Sequence, residues 1–247
     1  MDTSESSEPL QPIEGWTQLS DKWEASGNYL GACDAAFLGL EQHPEARELQ
    51  YRAVLNLSRI GASKRARQLW LHYRLQPHFE DPSFRGGLEE NIAALGARLD
   101  REEAYVDDAA QRSTRLKKAA QHYEAVYKRS TGTFPGINAA VLHELSGNSE
   151  RACELALDVA TESSKANPRS KEDAYQLSAD RAAPNLLLGD LDQACTAIDN
   201  AAALAGNAMA IASTRKQLLQ ICDYKGICGY SALAESQPKN LDDQQRG

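Results

Sequence analysis

The sequence predicts an all-α protein, an α-solenoid of stacked helical hairpins, and three observations predict it. Alanine, leucine, glutamate, glutamine and arginine, all strong helix formers, dominate the chain. Runs in which Val, Ile, Thr and aromatic residues alternate with polar ones, the mark of half-buried strands, are missing. A glycine register recurs along the 247 residues. Four times a glycine is followed five residues later by alanine and four after that by another core-sized residue: Gly27, Ala32 and Ala36; Gly61, Ala66 and Trp70; Gly147, Ala152 and Ala156; Gly189, Ala194 and Ile198.

Between the first two sets the spacing is 34 residues at every position, and a fixed period of that size marks a repeated supersecondary unit. In the first unit Trp16, Leu19 and Trp23 fall on the apolar positions of one helix. Gly27-Asn28-Tyr29 makes the turn, Ala32, Ala36 and Gly39 line a second helix, and Pro44 closes the unit. Glycine supplies the positive φ that ends the first helix, and small alanines let the paired helices approach closely. One such unit cannot bury its own apolar face, so the units must stack. Each unit resembles the helix–turn–helix of the tetratricopeptide repeat family.

The remaining elements follow the chain. Residues 75–87 (LQPHFEDPSFRGG), with two prolines and two glycines, read as a loop. Gly61 to Gly147 spans 86 residues, room for an irregular helical pair at 89–103 and 109–129. On the second of these, Leu116, Ala119, Ala120, Tyr123, Val126 and Tyr127 form one apolar stripe. Pro135 and Gly136 open the next helix, where a missing proline N–H leaves nothing unsatisfied, and Gly147 ends it. Pro184 stands inside 173–188, so that stretch is either a kinked helix or two shorter ones. A last helix covers about 208–224. The expected organisation is a polar tail at 1–12, tetratricopeptide-like repeats and a loop at 13–103, further helical repeats at 104–229 and a second polar tail at 230–247.

Within residues 104–226, the segment around Pro135-Gly136-Ile137-Asn138-Ala139-Ala140, then Leu145 to Gly147 and the turn from Leu187 to Asp190, resembles the TRAFs-binding domain of mitogen-activated protein kinase kinase kinases. The resemblance covers about half the chain and implies a regulatory scaffold that binds other proteins. It implies no kinase activity, since a Gly-rich loop, HRD and DFG are all absent.

Composition narrows function further. With 27 Lys+Arg against 35 Asp+Glu the net charge is -8, which disfavours a nucleic-acid partner. No window approaches the ~18 apolar residues a membrane span needs, and the acidic start MDTSESSEPLQPIEG has no signal-peptide pattern. Five cysteines without CxxC spacing suit reduced thiols and a cytoplasmic location. Cys33, Cys153 and Cys195 each follow the key alanine of a unit and read as packing residues; Cys222 and Cys228 suit neither a metal pair nor a redox motif. Of the five histidines none sits in HExxH or beside a metal-ligand cluster. His43 reads as a surface cap and His143 as a hydrogen-bonded core residue. GxSxG, GxxxxGK[ST] and GxGxxG are absent as well. The expectation is a non-enzyme without catalytic residues, cofactor or metal, whose partner is another protein or an associated effector domain, with self-association into a homo-oligomer left open.

Two surfaces are candidates for binding. First helices line the inner groove of such a stack, and the Lys/Asn clamp with which some tetratricopeptide domains hold a C-terminal carboxylate is replaced here by Thr17, Asp21, Tyr51 and Leu55. A groove of Tyr51, Arg52, Leu55 and Arg59, continuing to Val141 and Glu144, favours an amphipathic helix or extended segment read through apolar contacts. The second surface is residues 109–130, with six basic residues and one acidic, where Lys117, Lys118, Lys128 and Arg129 lie opposite the apolar stripe and offer a dock for an acidic segment. The alternative to a scaffold is a sensor that binds a small molecule or short peptide and regulates an associated effector.

Overall fold

The computed structural model describes residues 11–76, 87–106, 109–130, 132–168, 170–205 and 208–227. Among them are eleven helices and no strand: α1 (Ile13–Ala25), α2 (Tyr29–Gln42), α3 (Arg47–Arg59), α4 (Ser63–His72), α5 (Leu88–Val106), α6 (Ala109–Ser130), α7 (Thr133–Leu145), α8 (Ser149–Lys165), α9 (Lys171–Leu187), α10 (Leu191–Leu204) and α11 (Ala208–Lys225). The chain divides into two compact units, Met1–Gln76 and Pro77–Gly247. Each is a stack of helical hairpins of the tetratricopeptide-like α-solenoid class.

The glycine register creates the hairpins. Gly27, Gly61, Gly147 and Gly189 all take positive φ, between 75° and 91°. Around each, two backbone bonds close the preceding helix. At the first, Gly27 N–H donates to the Glu24 carbonyl and Asn28 N–H to the Trp23 carbonyl, both at 2.9 Å. Asn148 N–H to His143 (2.8 Å) and Asp190 N–H to Asn185 (2.8 Å) repeat the wider bond. This is the Schellman termination, which satisfies the carbonyls a helix end leaves open. The same pair recurs at Gly226, where Ile227 N–H reaches the Cys222 carbonyl at 3.0 Å, so α11 ends as a first helix ends.

In the first unit α2 packs between α1 and α3, and α4 closes on α3. Ala36, Leu40, Leu49 and Ala53 are buried there against Trp16 and Phe37. Gly39 is where α2 meets its neighbours: a Cβ at that position would stand 2.7 Å from Leu49 Cδ1 and 2.9 Å from Trp16 Cβ. Trp23, expected on an apolar first-helix position, is 37% exposed and lies across Gly31 instead of entering the core. In the second unit the apolar stripe of α6 meets α7, which packs in turn on α8 and α9. Leu116, Ala119, Ala120, Tyr123 and Tyr127 join one core with Ile137, Ala140, Val159, Leu186 and Ile198.

Several boundaries differ from expectation. Of the expected loop at 75–87, residues 77–86 lie outside the described residues. The helix expected to open at Pro135 and Gly136 begins at Thr133, because a proline is tolerated anywhere in the first turn, where N–H groups have no intrahelical acceptor. Residues 171–187 form one helix rather than two: Pro184 lies in its last turn, buried between Ala183 and Leu186.

Candidate functional site

In the first unit the first helices α1 and α3 lie side by side, and carboxylates of α1 meet guanidinium groups of α3. Arg52 Nη1 donates to Asp21 Oδ1 at 2.6 Å and stands 3.8 Å from Glu24 Oε1, while its Nη2 donates to Glu48 at 2.9 Å. Arg59 Nη1 donates to Glu24 Oε2 at 2.5 Å and its guanidinium lies 5.1 Å from the centre of the Tyr29 ring. Asn56, fully buried, donates to Glu24 Oε1 at 2.9 Å. These partners stand 31, 35 and 32 residues apart, about one repeat, which is why they face each other. Desolvation works against the charge of Arg52, but hydrogen bonds to Asp21 and Glu48 and the charges of Asp21 and Glu24 outweigh it and hold its pKa up.

Of the four groove candidates, therefore, Arg52 and Arg59 are already bound to α1, with side chains 13% and 28% exposed. Tyr51 and Leu55, one helical turn apart, are half-buried. Val141 and Glu144 are buried residues of the second unit. Asp21 and Glu24 escape a reading of local sequence, but opposite charges one repeat apart were the signal.

In the second unit the α6 candidates divide. Lys117, Lys118, Lys128 and Arg129 are all exposed, but Lys128 also donates to Glu124 one turn back at 2.6 Å. Glu124 is a node: it also accepts from Arg151 at 2.8 Å and meets His143 Nε2 at 2.9 Å. Burial pushes its carboxyl up, yet Arg151, Lys128 and His143 together hold it down at about 2. His143 is buried, as a core histidine should be. Tyr127 adds a bond from its hydroxyl to Asp158 at 2.7 Å, so α6 is tied to α8 at two places.

On the first-helix side of this unit, Asn138 Oδ1 accepts from Arg101 (3.3 Å) and Gln217 (3.5 Å). Glu144 Oε1 accepts from Lys225 at 3.2 Å, and its Oε2 is buried without a partner. Asp180 accepts from Thr133 and Gln176, each at 2.9 Å; burial raises its pKa against those two bonds.

The cysteine positions behave as packing sites. Cys33 Sγ reaches the Ala53 carbonyl at 3.8 Å and Cys153 Sγ the Leu187 carbonyl at 3.9 Å, each touching the first helix of the next hairpin. Burial, with Asp34 adding to it, pushes the Cys33 thiol up to about 11, and burial also raises Cys195 and Cys222. Such thiols are poor nucleophiles. Cys228 lies outside the described residues. His43 closes α2 and meets the Gln11 carbonyl at 2.7 Å. Among the described residues no three of His, Cys, Asp and Glu gather as metal ligands, and no helix is long and apolar enough to cross a membrane.

Residues 28–143 match the family model described as Tetratricopeptide Repeats-Sensor. Among solved structures, the crystal structure of a thermophilic TPR protein from Thermus thermophilus is similar. It is 14% identical, covering 84% of this chain and 100% of that one, with a TM-score of 0.59. No curated protein matches. At that identity the likeness speaks for the fold, and the fold is of the tetratricopeptide type.

Proposed function

We propose that the chain is a non-catalytic protein–protein interaction scaffold, cytoplasmic in location, whose first unit receives a helix or extended segment of a partner protein across α1 and α3. The observation that carries this reading is the pair Tyr51 and Leu55, half-buried one turn apart on the same helix as Arg52 and Arg59, whose guanidinium groups α1 holds in place. Fixed anchors lose little conformational freedom on binding, and tyrosine with arginine is a favoured hot-spot pair. In this reading Tyr51 and Leu55 make the apolar contact while Arg52 and Arg59 frame it. The basic face of α6, with Lys117, Lys118, Lys128 and Arg129, takes an acidic segment of the same partner or of an associated effector domain.

The experiment is affinity capture with the wild type, Tyr51→Ala/Leu55→Ala and Lys117→Glu/Lys118→Glu, each first checked for an unchanged melting curve. A partner lost with the first pair supports the α1–α3 groove. A partner lost only with the second moves the interface to α6, and one retained by both refutes the reading. Arg59→Ala is a poor probe, since it leaves Glu24 without its cation.

The resemblance of residues 104–226 to the TRAFs-binding domain supports reading the scaffold as a regulatory module that holds or senses an effector domain or partner. If a chain truncated at Tyr105 binds the partner unaltered, the resembling half is not the binding site. A second reading is favoured by the words of the matched family description: a sensor whose small-molecule or peptide ligand regulates an attached effector. It predicts thermal stabilisation that grows with the logarithm of ligand over its dissociation constant.

A further inference from the structure

We propose that the first-helix face of α7 and α9 is a docking groove for an arginine-bearing amphipathic helix, and that α11 occupies it as a displaceable internal substitute. The inference concerns the second unit alone and does not rest on the α1–α3 groove.

Three features lead to it. The position of α11 is irregular. First helices α3 and α9 pack along the second helix before them, α2 and α8, but α11 touches α10 only marginally and lies instead against α9 and α7. Its contact residues also follow the pattern of a groove-bound peptide. Leu218, Ile221 and Cys222 are fully buried in the α7–α9 core, and Lys225 reaches the groove's carboxylate, giving positions i, i+3, i+4 and i+7 on one face. The last feature is the floor of the groove, which is polar and incompletely satisfied. Glu144 has a side chain 4% exposed; Lys225 serves Oε1, and Oε2 is buried with no partner.

An ammonium is a point donor and leaves that second oxygen unserved. A guanidinium presents two parallel N–H groups and matches both oxygens of a carboxylate. A buried acceptor without a donor carries a desolvation penalty, so the groove favours an arginine where α11 supplies Lys225. A partner helix with apolar residues at i, i+3 and i+4 and arginine at i+7 therefore displaces α11.

The test uses the full chain and two fluorescent peptides of residues 208–227, one natural and one with Lys225→Arg. Anisotropy should show the arginine peptide binding at least ~5-fold more tightly, the scale of a strengthened charged hydrogen bond, and Glu144→Gln should abolish that preference. Hydrogen exchange should show α11 losing protection when peptide binds while α7 and α9 keep theirs. Equal affinities for the two peptides overturn the proposal, as does absence of binding, or α11 exchanging no faster than α9 with peptide present. Should Glu144→Gln unfold the chain, competition between the two peptides on the wild type decides alone. If light scattering finds a dimer that exchanges α11 between copies, the occupant is a second copy and the partner reading falls.

Discussion

At the scale of single residues, Glu124 joins three cationic or basic partners from three helices. One carboxylate serves Arg151, Lys128 and the buried His143, and its pKa falls from an ordinary 4.5 to about 2. A depressed carboxyl stabilises the folded state above its unfolded pKa and loses that contribution as pH falls through the folded value. Urea unfolding of Glu124→Gln at pH 7 should therefore show a loss of about 1–3 kcal/mol, because His143 and Arg151 lose their charged partner. The gap between variant and wild type should narrow as pH falls from 4.5 toward 2. A gap that stayed constant would mean the node is held by packing rather than charge. The sequence showed part of this, since His143 reads there as a hydrogen-bonded core residue, but not its partner: Glu124 is one acid among basic neighbours. The node needs α6, α7 and α8 brought together, and local pattern says nothing of which side chains then meet.

At the scale of elements the glycines separate two effects that look alike in a sequence. Gly61 sits at φ 81° with nothing within 4 Å of an added Cβ. Alanine there meets only backbone strain, and Gly61→Ala should lower stability by about 1–2 kcal/mol with the fold unchanged. Gly136 is helical, but a Cβ would stand 2.5 Å from Val159 Cγ2 and 2.9 Å from the Tyr127 ring. Gly136→Ala gains helix propensity yet overpacks the α6–α7–α8 contact, and should lose about 1–3 kcal/mol. Cavity room distinguishes them: trimming the neighbour with Val159→Ala should rescue Gly136→Ala in part and leave Gly61→Ala unaffected, measured as a double-mutant cycle. The turn glycines were legible because a positive φ has one cheap residue. The packing role of Gly136 was not, since its neighbours come from two other helices. The departure of α11 from the stack was hidden likewise: its apolar spacing fits either the next hairpin or the inner groove.

For the whole molecule, the division at Gln76 and Pro77 makes a prediction that the distribution of tryptophan allows to be read cleanly. Trp16, Trp23 and Trp70 are the three tryptophans of the chain, and all fall in the first unit, so their fluorescence reports that unit alone. Far-UV circular dichroism reports both, with the larger share from the second, where seven of the eleven described helices lie. Hairpin stacks couple through nearest neighbours, so two units with separate cores can melt separately. Gly39→Ala, which crowds Leu49 and Trp16, should lower the fluorescence midpoint in urea and leave the main dichroism transition in place. Gly136→Ala should do the reverse. The slope of the dichroism transition should also be the steeper, because the denaturant dependence grows with the surface exposed. If either substitution shifts both signals equally, the two units fold as one cooperative block. The boundary between them would then be a feature of contact density and not of stability, and a ligand held by one unit would stabilise the other to the same extent.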